Sequence, residues 1–324
     1  MKILVVRFSS IGDIVLTSPI VRCIKQQVQS SEVHYLTKNS FKSILLSNPY
    51  IDKVFGFDKS ISEIIAELKN EKYDFVVDLH HNIRSKSLTY QLRIPYSRFP
   101  KLHILKWLYV YLKTDRLPKK HVIERYFEAI RKLGVKNDLL PCDYFIPKED
   151  EIDPKESYGV FPNEFNTFSI GAQFKTKRLP LNKLIEICLK SELKTVLLGG
   201  KDDYQVAYLI EQELGDKVIN TCGKLNLNQS ASLLKQANTV ITHDTGLMHI
   251  ASSFGKKIVS IWGNTSPSFG MYVYNPIQTN QVSIHQVMDL SCRPCSKIGF
   301  KECPKTHFNC MNLQKVETII KDIN

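Results

Sequence analysis

Apolar and polar residues alternate along this chain in two periods, and the switches between them mark most of its elements. Residues 2–7 are an almost unbroken apolar run, read as a strand, followed by the small-residue turn Phe8-Ser9-Ser10-Ile11-Gly12-Asp13. From Ile14 to Gln29 the spacing becomes helical, with Ile14, Leu16, Ile20, Val21 and Ile24 on one stripe. The same reading predicts a strand at Glu32–Thr37, a helix around Ser40–Ser47, a strand near Lys53–Phe57, a helix around Ile61–Lys69 and a strand at Phe75–Leu79. Leu102, Leu105, Trp107, Leu108 and Leu112 give an approximate apolar helix face, and His121–Leu133 reads as another helix. Asp143–Phe165 carries three prolines and no clear period, so it reads as a linker.

A second alternating series follows. Strands are predicted at Thr167–Ala172, Thr195–Leu198, Val218–Asn220, from Val240 and at Lys257–Trp262. Helices are predicted at Leu181–Leu193, Tyr204–Glu213, Asn228–Ala237 and near Leu313–Ile323. Strands alternating with helices imply α/β architecture with doubly wound parallel sheets. The linker divides the chain into domains 1–150 and 151–324.

In such folds ligands gather at the carboxyl ends of the strands, and the polar residues there are the candidates. The stretch from Val240 to Ala251 starts as a buried strand, breaks at Asp244-Thr245-Gly246 and resumes with helical spacing. Free N–H groups and the positive end of a helix dipole then coincide, which suits a diphosphate. An N-capped helix with a satisfied histidine is the alternative. Lys175, Lys177 and Arg178 leave another strand, and Lys177 or Lys175 is placed to neutralise an anion. Gly199-Gly200-Lys201-Asp202 ends a third, where Asp202 can meet a ribose hydroxyl. In the first half Asp13 opens a helix at the crevice, either as a general base or as a complement to the helix dipole. The Gly-x-Gly-x-x-Gly fingerprint and the Gly-Lys-Ser/Thr loop are both absent, which disfavours an NAD-dependent oxidoreductase.

Charge adds a surface. The 324 residues carry a net charge of +12, and the stretch from Arg84 to Arg125 holds 11 Lys or Arg against Asp115 and Glu124. A field of that kind attracts a phosphorylated glycan, an acidic lipid surface or nucleic acid. No zinc-finger, RRM or KH signature accompanies it, so no nucleic-acid partner is expected. The aromatics interleaved there make the Trp107 region either a surface-seeking amphipathic helix or an ordinary packed one. No apolar run reaches transmembrane length, and the start of the chain is unlike a signal peptide, so a cytoplasmic protein is expected. Of eight cysteines, Cys292, Cys295, Cys303 and Cys310 cluster at a spacing compatible with a structural zinc or with packed thiols.

The chain resembles glycosyltransferase family 9, the ADP-heptose:lipopolysaccharide heptosyltransferases, over nearly its whole length. The resemblance is carried by Arg7-Phe8-Ser9-Ser10-Ile11-Gly12-Asp13, Thr176-Lys177-Arg178-Leu179-Pro180, Asp244-Thr245-Gly246-Leu247-Met248-His249, Trp262-Gly263-Asn264-Thr265-Ser266-Pro267 and Cys292-Arg293-Pro294-Cys295. It implies the GT-B architecture, two Rossmann-like domains facing across a cleft, and an inverting, metal-independent transfer from a nucleotide sugar. Asp13 matches the catalytic base and Lys177 the lysine on the donor diphosphate. Asp244, Thr245, Gly246, Leu247 and His249 match the diphosphate loop, with Lys175 beside it, Asp202 at the ribose and Leu225 near the adenine. The acceptor, an anionic glycolipid at the inner membrane, is expected on Ser10, Gly12, Arg84, Lys119, Lys120 and Arg125. Leu179 stands where the family often has tryptophan, and Met248 where serine is common; both departures bear on the choice of sugar. An inactive carbohydrate-binding relative is disfavoured because Asp13 and Lys177 are both present.

Overall fold

The computed structural model describes residues 1–278 and 281–324. Packing divides the chain into two units, one made of Met1–Leu102 with Lys120–Phe145 and the other of His103–Lys119 with Ile146–Asn324.

The first unit is built on strands β1 (Lys2–Val6), β2 (Glu32–Lys38), β3 (Lys53–Phe57), β4 (Phe75–Asp78) and β5 (Tyr96–Arg98). They form a parallel sheet in the order β3-β2-β1-β4-β5. Apolar runs such as Ile3-Leu4-Val5-Val6 are wholly buried, as a parallel sheet covered on both faces requires. Helices α1 (Ile11–Val15), α2 (Ser18–Gln27), α3 (Ile65–Asn70) and α4 (Ile83–Leu92) follow in order; α5 (His103–Leu112) belongs to the second unit, and α6 (Val122–Ile130) returns to the first. The single helix expected over Ile14–Gln29 is two, because Pro19 falls in the first turn of α2 and cannot continue a preceding helix. The helix expected around Ser40–Ser47 is a short 3-10 helix, Asn39–Ile44. One face of the sheet buries Leu4, Val6, Leu36, Phe55 and Val76 against Leu68 and Leu88.

In the second unit the described residues give strands β6 (Phe165–Ser169), β7 (Lys194–Leu198), β8 (Val218–Asn220), β9 (Thr239–His243), β10 (Lys257–Trp262) and β11 (Val282–Gln286). Their order is β11-β10-β9-β6-β7-β8, again parallel. The helices are α7 (Pro154–Tyr158), α8 (Leu181–Lys190), α9 (Tyr204–Leu214), α10 (Leu227–Gln236), α11 (Gly246–Ser252), α12 (Asn309–Asn312) and α13 (Val316–Ile323). The core joins Phe168, Leu197, Ile241 and Val259 of the sheet to Ile187 of α8 and Ile319 of α13. The expected linker is not featureless. Asp153 caps α7 by accepting from the N–H groups of Lys155 and Glu156 at 2.8 and 3.2 Å, and Asp150 accepts from Asn226 and Asn228. Residues 146–164 are therefore tied along the second unit.

Both sheets reverse their winding at one point, between β1 and β4 in the first and between β6 and β9 in the second. Those are the topological switch points, where the crevices at the strands' carboxyl ends open.

Candidate active site

At the switch point of the second sheet, β6 runs out into a loop ending in the 3-10 turn Lys175–Lys177, while β9 ends at His243 and bends into α11. The two loops meet in an ion pair, with Lys177 Nζ 2.6 Å from Asp244 Oδ2 and 3.3 Å from the Asp244 carbonyl. Thr265, in the loop after β10, donates its hydroxyl to the same carboxylate oxygen at 2.8 Å. Asp244 thus fixes a cation that faces neither bulk water nor the core; the two side chains are 15% and 13% exposed.

The loop carrying Lys177 is held on three sides. Arg178 donates through Nε to the Ala172 carbonyl at 2.8 Å and pairs through Nη1 with Asp203 at 2.8 Å. Asp203 also accepts from the N–H of Gly200 at 2.9 Å. A Cβ on Gly171 would lie 2.1 Å from Asp203 Oδ2, so this close approach requires glycine. Leu179 N donates to His243 Nε2 at 3.1 Å, and burial pushes His243 down to about 4, leaving it neutral as an acceptor. Thr176 and Phe300 exchange hydrogen bonds, N–H to carbonyl at 3.3 Å and N–H to hydroxyl at 2.8 Å, which draws the cysteine-rich segment onto the same loop.

The start of α11 has the geometry expected of an anion-facing turn. Thr245 is extended at φ −138° ahead of the first turn, and its hydroxyl lies 3.2 Å from that of Thr242. Gly246 and Leu247 are half-buried, whereas Met248 and His249 point inward, His249 being 3% exposed. His249 is therefore packed within the unit, at the first turns of α11. Lys175 and Asp202 are exposed, and Leu225 is half-buried in the loop between β8 and α10.

In the first unit the corresponding loop follows β1. Asp13 lies in the first turn of α1, where Oδ2 accepts from the Ser10 N–H at 3.2 Å and the Ser10 hydroxyl at 2.9 Å. Arg7 Nη2 stands 2.6 Å from Asp13 Oδ1. Arg7 is itself 7% exposed, donating Nε to the Ser9 carbonyl at 2.8 Å and Nη1 to the Leu79 carbonyl and to the Tyr126 hydroxyl. Burial pushes the Asp13 carboxyl up, but the Arg7 charge and the Ser10 hydrogen bonds outweigh it and hold it below the usual carboxylate range. Gly12 is buried in α1 and Ser10 is exposed beside the carboxylate. His80, at the end of β4, stacks 4.6 Å from Phe8; burial first, then the charges of Arg7 and Lys101, push it down to about 3.

The basic stretch does not form one surface. Arg84 on α4 is exposed, as are Lys119 and Lys120, the latter 3.6 Å from Glu128. Arg98 turns inward to Asp78 at 3.0 Å. Arg125, expected among the acceptor contacts, lies on the buried face of α6 and is 2% exposed.

The four clustered cysteines are neighbours, each close enough to feel the others' charge. Cys292 Sγ is 3.9 Å from His307 Nε2, and the Cys295 thiol donates to the Cys292 carbonyl at 3.0 Å. Burial and the adjacent thiols push Cys295 up to about 11 and Cys310 up to about 12. Among the described residues, the three donor atoms of His, Cys, Asp or Glu within 4.8 Å of one another are those of Glu32, His34 and Glu71. That trio is already paired with Lys2 and Lys53.

Sequence reasoning missed Arg7, Asp203, Thr265 and Arg293 as partners. Arg293 donates to the carbonyls of Gly263 and Thr265 at 2.6 and 2.9 Å and so sets the loop that presents Thr265 to Asp244. A basic residue directly after an apolar strand (Arg7) and one inside the Cys-x-x-Cys turn (Arg293) were the available signals.

Two parallel α/β units, each with an ion pair in the loop at its switch point, carry the candidate site. Residues 61–305 match the model of glycosyltransferase family 9 (heptosyltransferase). The chain belongs to that family and is a glycosyltransferase. It is 27% identical over 320 residues to lipooligosaccharide heptosyltransferase 2 of Haemophilus ducreyi, with 89% of each chain covered. Among solved structures it superposes on the family 9 glycosyl transferase of Veillonella parvula with a TM-score of 0.77 at 24% identity, covering 99% of this chain and 95% of that one. For the E. coli ADP-heptose lps heptosyltransferase II the TM-score is 0.71 at 18% identity, covering 97% and 98%. These likenesses establish the fold class, that of the GT-B heptosyltransferases.

Proposed function

We propose that the enzyme transfers a heptose, with inversion, from ADP-heptose to an anionic glycolipid acceptor of the lipopolysaccharide core type. The observation that carries this reading is the Lys177–Asp244 pair beside the first turn of α11, at the switch point of the second sheet. The relatives, a lipooligosaccharide heptosyltransferase and an ADP-heptose heptosyltransferase, supply the sugar and the acceptor class.

Asp13 takes the proton of the acceptor hydroxyl as its oxygen bonds to the anomeric carbon. The bond from that carbon to the diphosphate breaks with oxocarbenium character, and the electron pair leaves on the diphosphate. Asp13 is a weak base because Arg7 and Ser10 stabilise its ionised form, so proton transfer accompanies bond formation rather than preceding it. Lys177 and the N–H groups of Gly246 and Leu247 take up the leaving charge, which does without a metal ion. Thr245 lines that turn, Asp202 meets the ribose, Leu225 gives the adenine an apolar contact, and Lys175 adds positive charge. Ser10, Gly12, Arg84, Lys119 and Lys120 remain the acceptor contacts, with the site of action at the cytoplasmic face of the inner membrane. No helix among the described residues is long and apolar enough to cross a membrane.

A donor panel tests this. Thermal stabilisation by ADP and ADP-heptose, but not by UDP or NAD, together with transfer from ADP-heptose, is the expected result. Stabilisation by UDP alone removes the adenine part. Metal analysis of the purified protein addresses the cysteines: stoichiometric zinc would mean that the thiols converge on binding it, and sub-stoichiometric zinc ends that idea.

A further inference from the structure

Helix α5 is apolar on more than one face and leaves one of them exposed. Ile104, Trp107, Leu108 and Tyr111 follow the i, i+3, i+4, i+7 spacing of one helix face, with Leu112 beside them. In a helix packed on its own domain that face turns inward. Here Ile104 is 75% exposed, Tyr111 66%, Leu112 59% and Trp107 48%, with the Trp107 and Tyr111 rings 5.4 Å apart. The opposite face is the one that packs, with Val110 buried at 5% exposure. Tyr109 bonds through its hydroxyl to Ser266 Oγ at 3.0 Å and sets its ring 5.5 Å from Phe269. Lys113 donates to the carbonyls of Val110, Cys292 and Pro294 at 2.7, 2.9 and 2.7 Å. Hydrogen bonds to main-chain carbonyls thus fix the helix so that its apolar stripe faces out.

The segment around that stripe is basic. His103–Lys119 contains Lys106, Lys113, Arg116 and Lys119 against Asp115 alone, and Arg116 and Lys119 are exposed. An apolar stripe carrying tryptophan and tyrosine, with cations beside it, matches an anionic bilayer surface: the rings and aliphatic side chains enter the headgroup boundary and the cations meet lipid phosphates. We infer that α5 is a docking element for an anionic lipid bilayer, and that it belongs to the unit carrying Lys177 and Asp244. Its seat is the Ser266–Phe269 turn and the Cys292–Pro294 carbonyls, next to the Arg293 and Thr265 contacts that set Asp244. This deepens the membrane-lipid acceptor reading by naming the element that meets the lipid.

Vesicle binding tests it without donor or acceptor. The chain has two tryptophans, and Trp262 is 1% exposed, so acrylamide quenching reports on Trp107. Vesicles of phosphatidylglycerol and phosphatidylcholine should bind the protein and shield Trp107, with pure phosphatidylcholine at least tenfold weaker. The combined variant Ile104→Ser, Tyr111→Ser, Leu112→Ser should lose at least tenfold in partition while keeping thermal stabilisation by ADP, which shows that its donor unit is folded. Equal binding by the variant, a Trp107 still open to acrylamide on bound protein, equal binding to neutral vesicles, or shielding of Trp107 by self-association without lipid would each overturn it. Lipid docking together with a failed ADP-heptose transfer would discard the proposed substrates and leave this surface standing.

Discussion

The two switch points carry the same kind of pair with opposite polarity. In the first unit the cation is the buried member: Arg7 is 9% exposed at its side chain and braces Asp13, which is 22% exposed. In the second the two members are about equally sheltered, but it is the carboxylate that is further tied down, by Thr265, and the lysine that is presented. One fold, used twice, therefore offers a braced carboxylate at one crevice and a braced ammonium at the other. The difference assigns the chemistry. A braced carboxylate suits a hydroxyl that must lose a proton, and a braced ammonium suits a leaving diphosphate.

That division is easiest to break at Asp13. Asp13→Asn should reduce turnover by roughly 10³-fold, the scale of a lost general base, with ADP affinity unchanged. Near-normal turnover would remove Asp13 from the reaction. Lys177→Met should lower turnover about 10²-fold and also weaken ADP binding, since the lysine meets the leaving group both before and during departure; a loss of turnover alone would mean it acts only in the transition state.

Arg7 sharpens the comparison through pH. With Arg7 in place the Asp13 carboxyl lies below its ordinary value, so Asp13 stays ionised and the acid limb of kcat/KM lies below the usual carboxylate range. In Arg7→Met the lowering charge is gone while burial still favours the neutral acid, so the limb should move to higher pH. Arg7→Lys should restore most of it. An unmoved limb in a folded Arg7→Met protein would show that Arg7 serves the fold alone.

The smallest effect is expected at Thr265→Val. It deletes one hydrogen bond to Asp244 and should weaken ADP binding by about two- to tenfold. No change would mean that Lys177 alone holds Asp244 in place.

The strands and both crevice loops were legible because a buried parallel strand is a continuous apolar run and its polar end stands out. Asp244 lies directly beyond such a run, and Asp13 and Lys177 lie in the loops that leave two others. What escaped depends on distant partners. Arg7 and Asp13 are close in sequence, yet the Leu79 and Tyr126 contacts that bury Arg7 come from β4's end and from α6. Arg125 read as a surface charge because composition gives no direction, whereas α6 turns it inward. α5 was the ambiguous case: its stripe was visible, but only the Tyr109 and Lys113 contacts show which face is packed. β5 and β11 were missed because one is three residues long and the other, an edge strand, is only half-buried and lacks a continuous apolar run.

The central claim is the division of labour between the two pairs, and calorimetric titration of ADP into wild type, Asp13→Asn and Lys177→Met tests it most directly. The account predicts an unchanged Kd for Asp13→Asn and a Kd at least tenfold weaker for Lys177→Met. The reverse pattern, with ADP affinity lost at Asp13 and kept without Lys177, would contradict it.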